Sequence, residues 1–147
     1  MRISLVPPDM VVALYPRVFR HLQRAADYTF GRYEPEDIVE LASSGGAEMW
    51  VAIDEAEDVK GISVTQAIEY PCKKCLEVIF ISGEDLCEWR VPMLEVLQHW
   101  AHDSGCACIE SSGRPGFSRV FKDDGYRLLW QVFELPAADK GLGDNHG

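Results

Sequence analysis

"ISGEDLCEWRVPMLEVLQHW", residues 81–100, decides how this chain is read. A strand-like set of apolar side chains leads into it: Leu76, Val78, Ile79, Phe80 and Ile81. The set breaks at Ser82-Gly83 and meets three acids, Glu84, Asp85 and Glu88. Beyond them Met93, Leu94, Val96, Leu97, Trp100 and Ala101 repeat at the spacing of one helix face. A strand that turns straight into a helix often holds a phosphate, because free amides and the helix dipole point out of the junction. Carboxylates there oppose a phosphate but suit the helix. Ser82 and Asp85 have the spacing of a capping box. Acids in a first turn gain roughly 0.3–1 kcal/mol each from the dipole. Pro92 either kinks this helix or restarts it one turn later.

Outward from that junction the period of the sequence changes twice. "RISLV" (2–6) reads as a short strand ending at Pro7-Pro8, and Asp9 can cap a helix carrying Val11, Val12, Leu14 and Tyr15. Pro16 interrupts that helix or starts the next, whose apolar face is Val18, Phe19, Leu22, Ala25 and Ala26. "GRYEPEDIVELASSGG" (31–46) holds another helix, with Pro35 in its first turn and Gly45-Gly46 as its stop. "EMWVAID" (48–54), "VKGISVTQAIEYP" (59–71) and "KCLEVIFIS" (74–82) then read as three antiparallel strands. After the long helix come a strand in "CACIESS", a loop "GRPG", a short helix "FSRVFKDD" closed by Gly125, and a last strand "YRLLWQVFEL" (126–135). The order is β-α-α-β-β-β-α-β-α-β, an α+β domain over residues 1–135. Residues 136–147 are small and polar and are expected to be a disordered tail.

Composition bounds the function. A formal net charge of −10, with 14 scattered basic residues, repels a nucleic-acid backbone, so no nucleic acid is expected as partner. No 18-residue apolar run and no secretory leader pattern occur, which argues for no membrane and for a cytoplasmic setting. Five cysteines, an odd number, fit reduced thiols in such a setting. Cys72 and Cys75 form a CxxC and Cys106 and Cys108 a CxC. The second pair lacks knuckle spacing, so a turn and a strand face are expected rather than a zinc site. His99, His102 and Asp103 fit a solvated helix face, so no metal is expected. No nucleophile elbow or triad spacing supports hydrolysis. "SSGRPGF" offers Ser111, Ser112 and Arg114 as an anion loop but equally suits an ordinary connection.

The element order, with "LQHWAHDSGCACIE" and "FSRVFKDDGYR", resembles the GNAT (GCN5-related N-acetyltransferase) fold, a mostly antiparallel central sheet flanked by helices. "GRYEPEDI", "MWVAID", "SGEDLCEW" and "SGRPGFSRVFKDDGY" are similar to small GNAT-like proteins of tailed phages and prophages. The resemblance implies acetyl-CoA as cofactor, held where active relatives carry Gln/Arg-x-x-Gly-x-Gly/Ala at the head of the long helix. Here Asp85 falls at the Gln/Arg position, and Glu88 and Arg90 fall on the glycines. A degenerate pyrophosphate loop follows, with no cofactor. In an active alternative, Ser82, Gly83 and Arg90 would line the cofactor, and Glu77 would be the general base. The family's acid Tyr corresponds to Phe121, leaving Tyr126 as the nearby candidate.

Four tryptophans remain. Trp100 and Trp130 fit core positions, while Trp89, amid acids, is expected to be partly exposed and to anchor an interface. The reading is therefore of protein contacts, with the resemblance implying a bacterial host and a virion-associated or host-interaction role.

Overall fold

Three long runs of β-branched and aromatic residues build the centre of a five-stranded sheet whose strands lie in chain order. The computed structural model describes residues 1–113 and 117–138. These fall into two units, Met1–Gly116 and Phe117–Gly147. The sheet belongs to the first. Its strands are β1 (Arg2–Val6), β2 (Glu48–Ile53), β3 (Val59–Tyr70), β4 (Lys73–Gly83) and β5 (Cys108–Ser111). The first four pair antiparallel, and β5 joins β4 in parallel after the crossover helix.

Helices cover both faces, which is why β2 is buried at every interior position instead of alternating. On one face α1 (Val11–Asp27) and α2 (Pro35–Ser43) bring Val18, Leu22, Ile38 and Ala42 against Met49, Val51, Ile62, Val64 and Phe80. On the other, α3 (Leu86–Asp103) brings Trp89, Met93, Leu97 and Ala101 against Trp50, Ala52, Leu76 and Val78. Helix α2 starts as its sequence demands. Glu34 and Asp37 make a reciprocal capping box around Pro35, and Gly45 follows the helix at φ +83°.

Both internal prolines are carried inside continuous helices, Pro16 in α1 and Pro92 in α3. The expected interruption at Pro16 does not occur: packing of one apolar face, from Val11 to Ala26, outweighs the lost hydrogen bond. Asp9 lies in a 3₁₀ turn, Pro8–Met10, ahead of α1 and does not cap it. Buried His21 places Nε2 3.1 Å from the Val59 carbonyl. A carbonyl only accepts, so that nitrogen carries the proton, and burial lowers the ring's pKa.

The largest correction concerns Trp89, whose expected exposure is overturned: it is 0% exposed. Its indole lies over Gly61 and Gly83, which are register partners on β3 and β4. A Cβ on Gly61 would stand 2.2 Å from the ring, and one on Gly83 would stand 2.4 Å from the Lys60 carbonyl oxygen. The indole N–H donates to the Glu84 carbonyl at 2.8 Å. Covering an indole withdraws roughly 200 Å² from water, worth about 5 kcal/mol. That gain buries the ring despite its acidic neighbours.

In the second unit α4 (Ser118–Asp123) ends before Gly125 at φ +92°, and the Phe121 ring sits 5.1 Å from Tyr126. The final strand expected over 126–135 is absent: these residues form no regular element. A strand exists through its ladder, and α4 is the one regular element described in this unit, so it offers none. Trp130, expected in the core, is 63% exposed. The expected tail from residue 136 lies mainly outside the described residues, as does Arg114 of the candidate anion loop.

Gly61→Ala should destabilise the chain by about 1–3 kcal/mol, because the added methyl would overlap the Trp89 ring, which is fully buried and also packed on Gly83. Urea denaturation followed by tryptophan fluorescence measures it. A loss below about 0.5 kcal/mol would show that Trp89 does not depend on this gap.

Candidate functional site

Strand β4 and helix α3 meet at the chemically interesting end of the sheet. Strand β5 pairs with β4 only over Cys75–Val78. Beyond it the register slips, Thr65 facing Val78 and Val64 facing Phe80, so Ile79 is a bulged residue that bends β4. Among the described residues of this unit, the β4 edge from Ile79 to Gly83 has no strand partner. The last third of β4 therefore presents this edge, without a strand along it, toward the head of α3. Ligands in crossover folds commonly sit at such C-terminal strand ends.

Only Glu84 and Asp85 separate β4 from α3. The Glu84 amide donates to the Lys60 carbonyl at 2.7 Å, which takes one candidate phosphate donor. The space beside Gly83 is filled by Lys60 backbone, Gly61 and Trp89, leaving no room for a ligand on that side. Asp85 takes a left-handed conformation, φ 52°, and its carboxylate makes no cap bond. Exposed Glu88 occupies the first turn, and Arg90 is half-buried one step further. A diphosphate is held best by consecutive bare amides turned toward it, and here the Glu84 amide is already bonded.

The expected capping box between Ser82 and Asp85 does not form. Ser82 is still in the sheet, opposite Ile62, and its buried hydroxyl finds no hydrogen-bond partner among the described residues. The acids divide instead by surroundings. Glu84 makes an ion pair with Arg20 at 2.6 Å and lies 3.9 Å from Lys60. Arg24 donates to the Gly83 carbonyl at 3.2 Å. Two cations on α1 thus reach the β4–α3 junction, something no local sequence pattern announces.

Glu77 lies six residues before Gly83, roughly 20 Å along the strand, and is not part of that junction. Its register partners are Gln66 and Glu110. Burial, then the Glu110 carboxylate, holds the Glu77 carboxyl above its ordinary range. Glu110 in turn accepts from the Tyr70 hydroxyl at 2.8 Å. The structure thus seats Gly83 under Trp89, sets Ser82 beside Ile62 on the opposite face of the sheet, places Glu77 apart, and holds Tyr126 in the other unit. Glu110, Tyr70 and Gly61 were missed by the sequence reading. Only Gly61 carried a signal, since a glycine inside a strand marks close approach of another group.

Elsewhere on the chain, His102 and Asp103 meet in the open at 3.7 Å, and no group of three metal-binding side chains forms among the described residues. No described helix is long and apolar enough to cross a membrane.

No protein-family model and no curated protein matches the sequence. Solved structures do match in shape. One described as a probable acetyltransferase has a TM-score of 0.69 at 14% identity, covering 95% of this chain and 100% of its own. A ribosomal-protein-alanine N-acetyltransferase from Brucella melitensis biovar Abortus 2308 has a TM-score of 0.66 at 12% identity, covering 92% and 99%. An aminoglycoside acetyltransferase from an uncultured soil metagenomic sample, in complex with sisomicin, also reaches 0.66, at 11% identity, covering 95% and 96%. At these identities the likeness is one of fold. The chain has the α+β architecture of the GNAT acetyltransferases.

Glu77 gives this site a pH signature. A carboxyl whose folded-state pKa is raised contributes stability at low pH and loses it as pH rises through the carboxylate range. Glu77→Gln keeps the uncharged shape, so its Tm at pH 7 should exceed that of the parent by about 1–3 °C, the gap closing in acid. Thermal melts between acid and neutral pH check this. A variant less stable than the parent at pH 7 would contradict the assignment.

Proposed function

We propose that this chain is an acetyltransferase-fold protein with a degenerate acetyl-CoA pyrophosphate loop, acting through contacts with another protein. One observation carries the first half: the β4–α3 connection is two residues long, with its first amide already bonded and its glycine packed under Trp89. That arrangement leaves less bare backbone for a diphosphate than a glycine-rich loop would. The second half is supported by the second unit, where Leu128, Trp130, Val132, Phe133 and Leu135 are exposed along one short run. Apolar side chains concentrated in this way mark a surface that another molecule covers. The similarity of several sequence segments to tailed-phage and prophage proteins suggests a partner in a bacterial host or a virion.

The competing reading is an N-acetyltransferase that transfers an acyl group from acetyl-CoA to an amine. The raised carboxyl of Glu77 favours it, since a half-buried carboxylate is a better base than a solvated one. Calorimetric titration of the full chain with acetyl-CoA separates the two. No saturable binding up to about 1 mM, a ceiling of about 4 kcal/mol of binding energy, is the expected result. Binding below that concentration, with amides of residues 82–90 protected from exchange, would establish the competing reading. In a pull-down, a captured protein that is lost with Trp130→Ser and Phe133→Ser is expected. Retention by that variant would remove the contact surface from the proposal.

A further inference from the structure

Two of the five cysteines meet. Cys75 of β4 and Cys108 of β5 are register partners in the parallel pair, and their sulfurs lie 2.8 Å apart. Cys72 and Cys87 are exposed, and Cys106 is half-buried on the turn before β5. Neither short motif of the sequence predicts this pairing, which joins one member of the CxxC to one member of the CxC across the sheet. The two thiols differ in access: Cys75 is 1% exposed, whereas Cys108 is half-buried.

We propose that Cys75 and Cys108 form a redox modification site, closing reversibly to a cross-strand disulfide when the chain meets a low-molecular-weight disulfide. Directly paired neighbouring strands hold their Cα atoms within the separation a disulfide spans, so closure needs side-chain rotation only. The chemistry proceeds by two exchanges. The Cys108 thiolate attacks one sulfur of the oxidant, the oxidant's S–S bond breaks, and one small thiol leaves carrying the proton that Cys108 lost. Cys75 then gives up its proton and attacks the Cys108 sulfur. The mixed disulfide breaks, the Cys75–Cys108 bond forms, and the second small thiol leaves. Two protein thiols are oxidised and one small disulfide is reduced to two thiols.

Access sets the order of events. Burial, then the contact with Cys108, pushes the Cys75 thiol up to about 12, so the half-exposed partner reacts first. The site also has leverage. Within this unit β5 is four residues long and β4 is its one strand neighbour among the described residues. The cross-link would join residues 33 positions apart and close a loop containing the whole of α3. Closing a loop of that size restrains the unfolded chain and should raise the melting temperature. The inference is independent of whether acetyl-CoA binds.

Peptide mapping tests it. The full chain, reduced and then transferred to oxidised glutathione at neutral pH, is quenched with acid, alkylated and digested. The expected product is a Cys75–Cys108 linked peptide pair, two hydrogens lighter than its parts, that dithiothreitol reverses. The Tm of the oxidised chain should rise by roughly 5–10 °C. Cys75→Ser should stop the reaction with glutathione on Cys108, and Cys108→Ser should leave Cys75 unmodified. Both thiols remaining free to alkylate, while Cys72 and Cys87 collect glutathione, would overturn the proposal. So would a dominant Cys72–Cys75 link. The mapping of the parent chain needs no variant, so a misfolded substitution cannot mask the answer.

Discussion

One aromatic ring seated on two glycines organises the junction on which the rest of this molecule turns. Gly61 and Gly83 are register partners, and their missing side chains leave a flat gap that the Trp89 indole fills. The ring hangs from the first turn of α3, so its position sets where that helix can begin. Its N–H takes the Glu84 carbonyl, which further limits the connecting residues. Close packing of this kind permits little local adjustment, because a displaced ring would forfeit contacts on both sides. A two-residue connection and a left-handed Asp85 are its geometric consequences. The junction is therefore a tightly packed corner of the core.

Electrostatics on the two halves of β4 follow from the same geometry. Near α3 the bend of the strand brings Glu84 within reach of Arg20 and Lys60, and the acids that crowd the junction are partly balanced. Such exposed pairs contribute little stability, about 1 kcal/mol or less. Their effect is to orient the corner rather than to hold it. At the other end β5 brings Glu110 opposite Glu77, and two carboxylates share one face, with the Tyr70 hydroxyl donated to Glu110. The same strand pairing sets Cys75 against Cys108. A short parallel strand thus creates a carboxylate pair and a thiol pair that neither strand possesses alone.

Much of the architecture was legible along the chain. Hydrophobic period separated strands from helices through residue 111. Pro35 announced the start of α2 because its fixed φ suits a first helical turn, while the Glu34–Asp37 capping box came to light only in the structure. Local rules failed where distant residues decide. Ser82 has a capping-box spacing, yet its pairing with Ile62 keeps it in the sheet. The run 126–135 has strand composition, but composition cannot supply the neighbouring ladder a strand requires. Trp89 sits among acids and looked exposed, because nothing near it in sequence revealed Gly61.

What the sequence determined by itself is the order of the elements through residue 111 and their α+β class, since these follow from periodicity and turn chemistry that act over a few residues. The likeness to acetyltransferases came from resemblance of whole segments. The tertiary structure alone decided which of Ser82, Gly83, Trp89, Glu77 and Tyr126 stand near one another. It also decided that a buried ring closes the corner, and that two cysteines from different motifs meet. Those outcomes depend on strand register and on packing between residues tens of positions apart. Such contacts are chosen by the folded whole and leave no mark on any short stretch of chain.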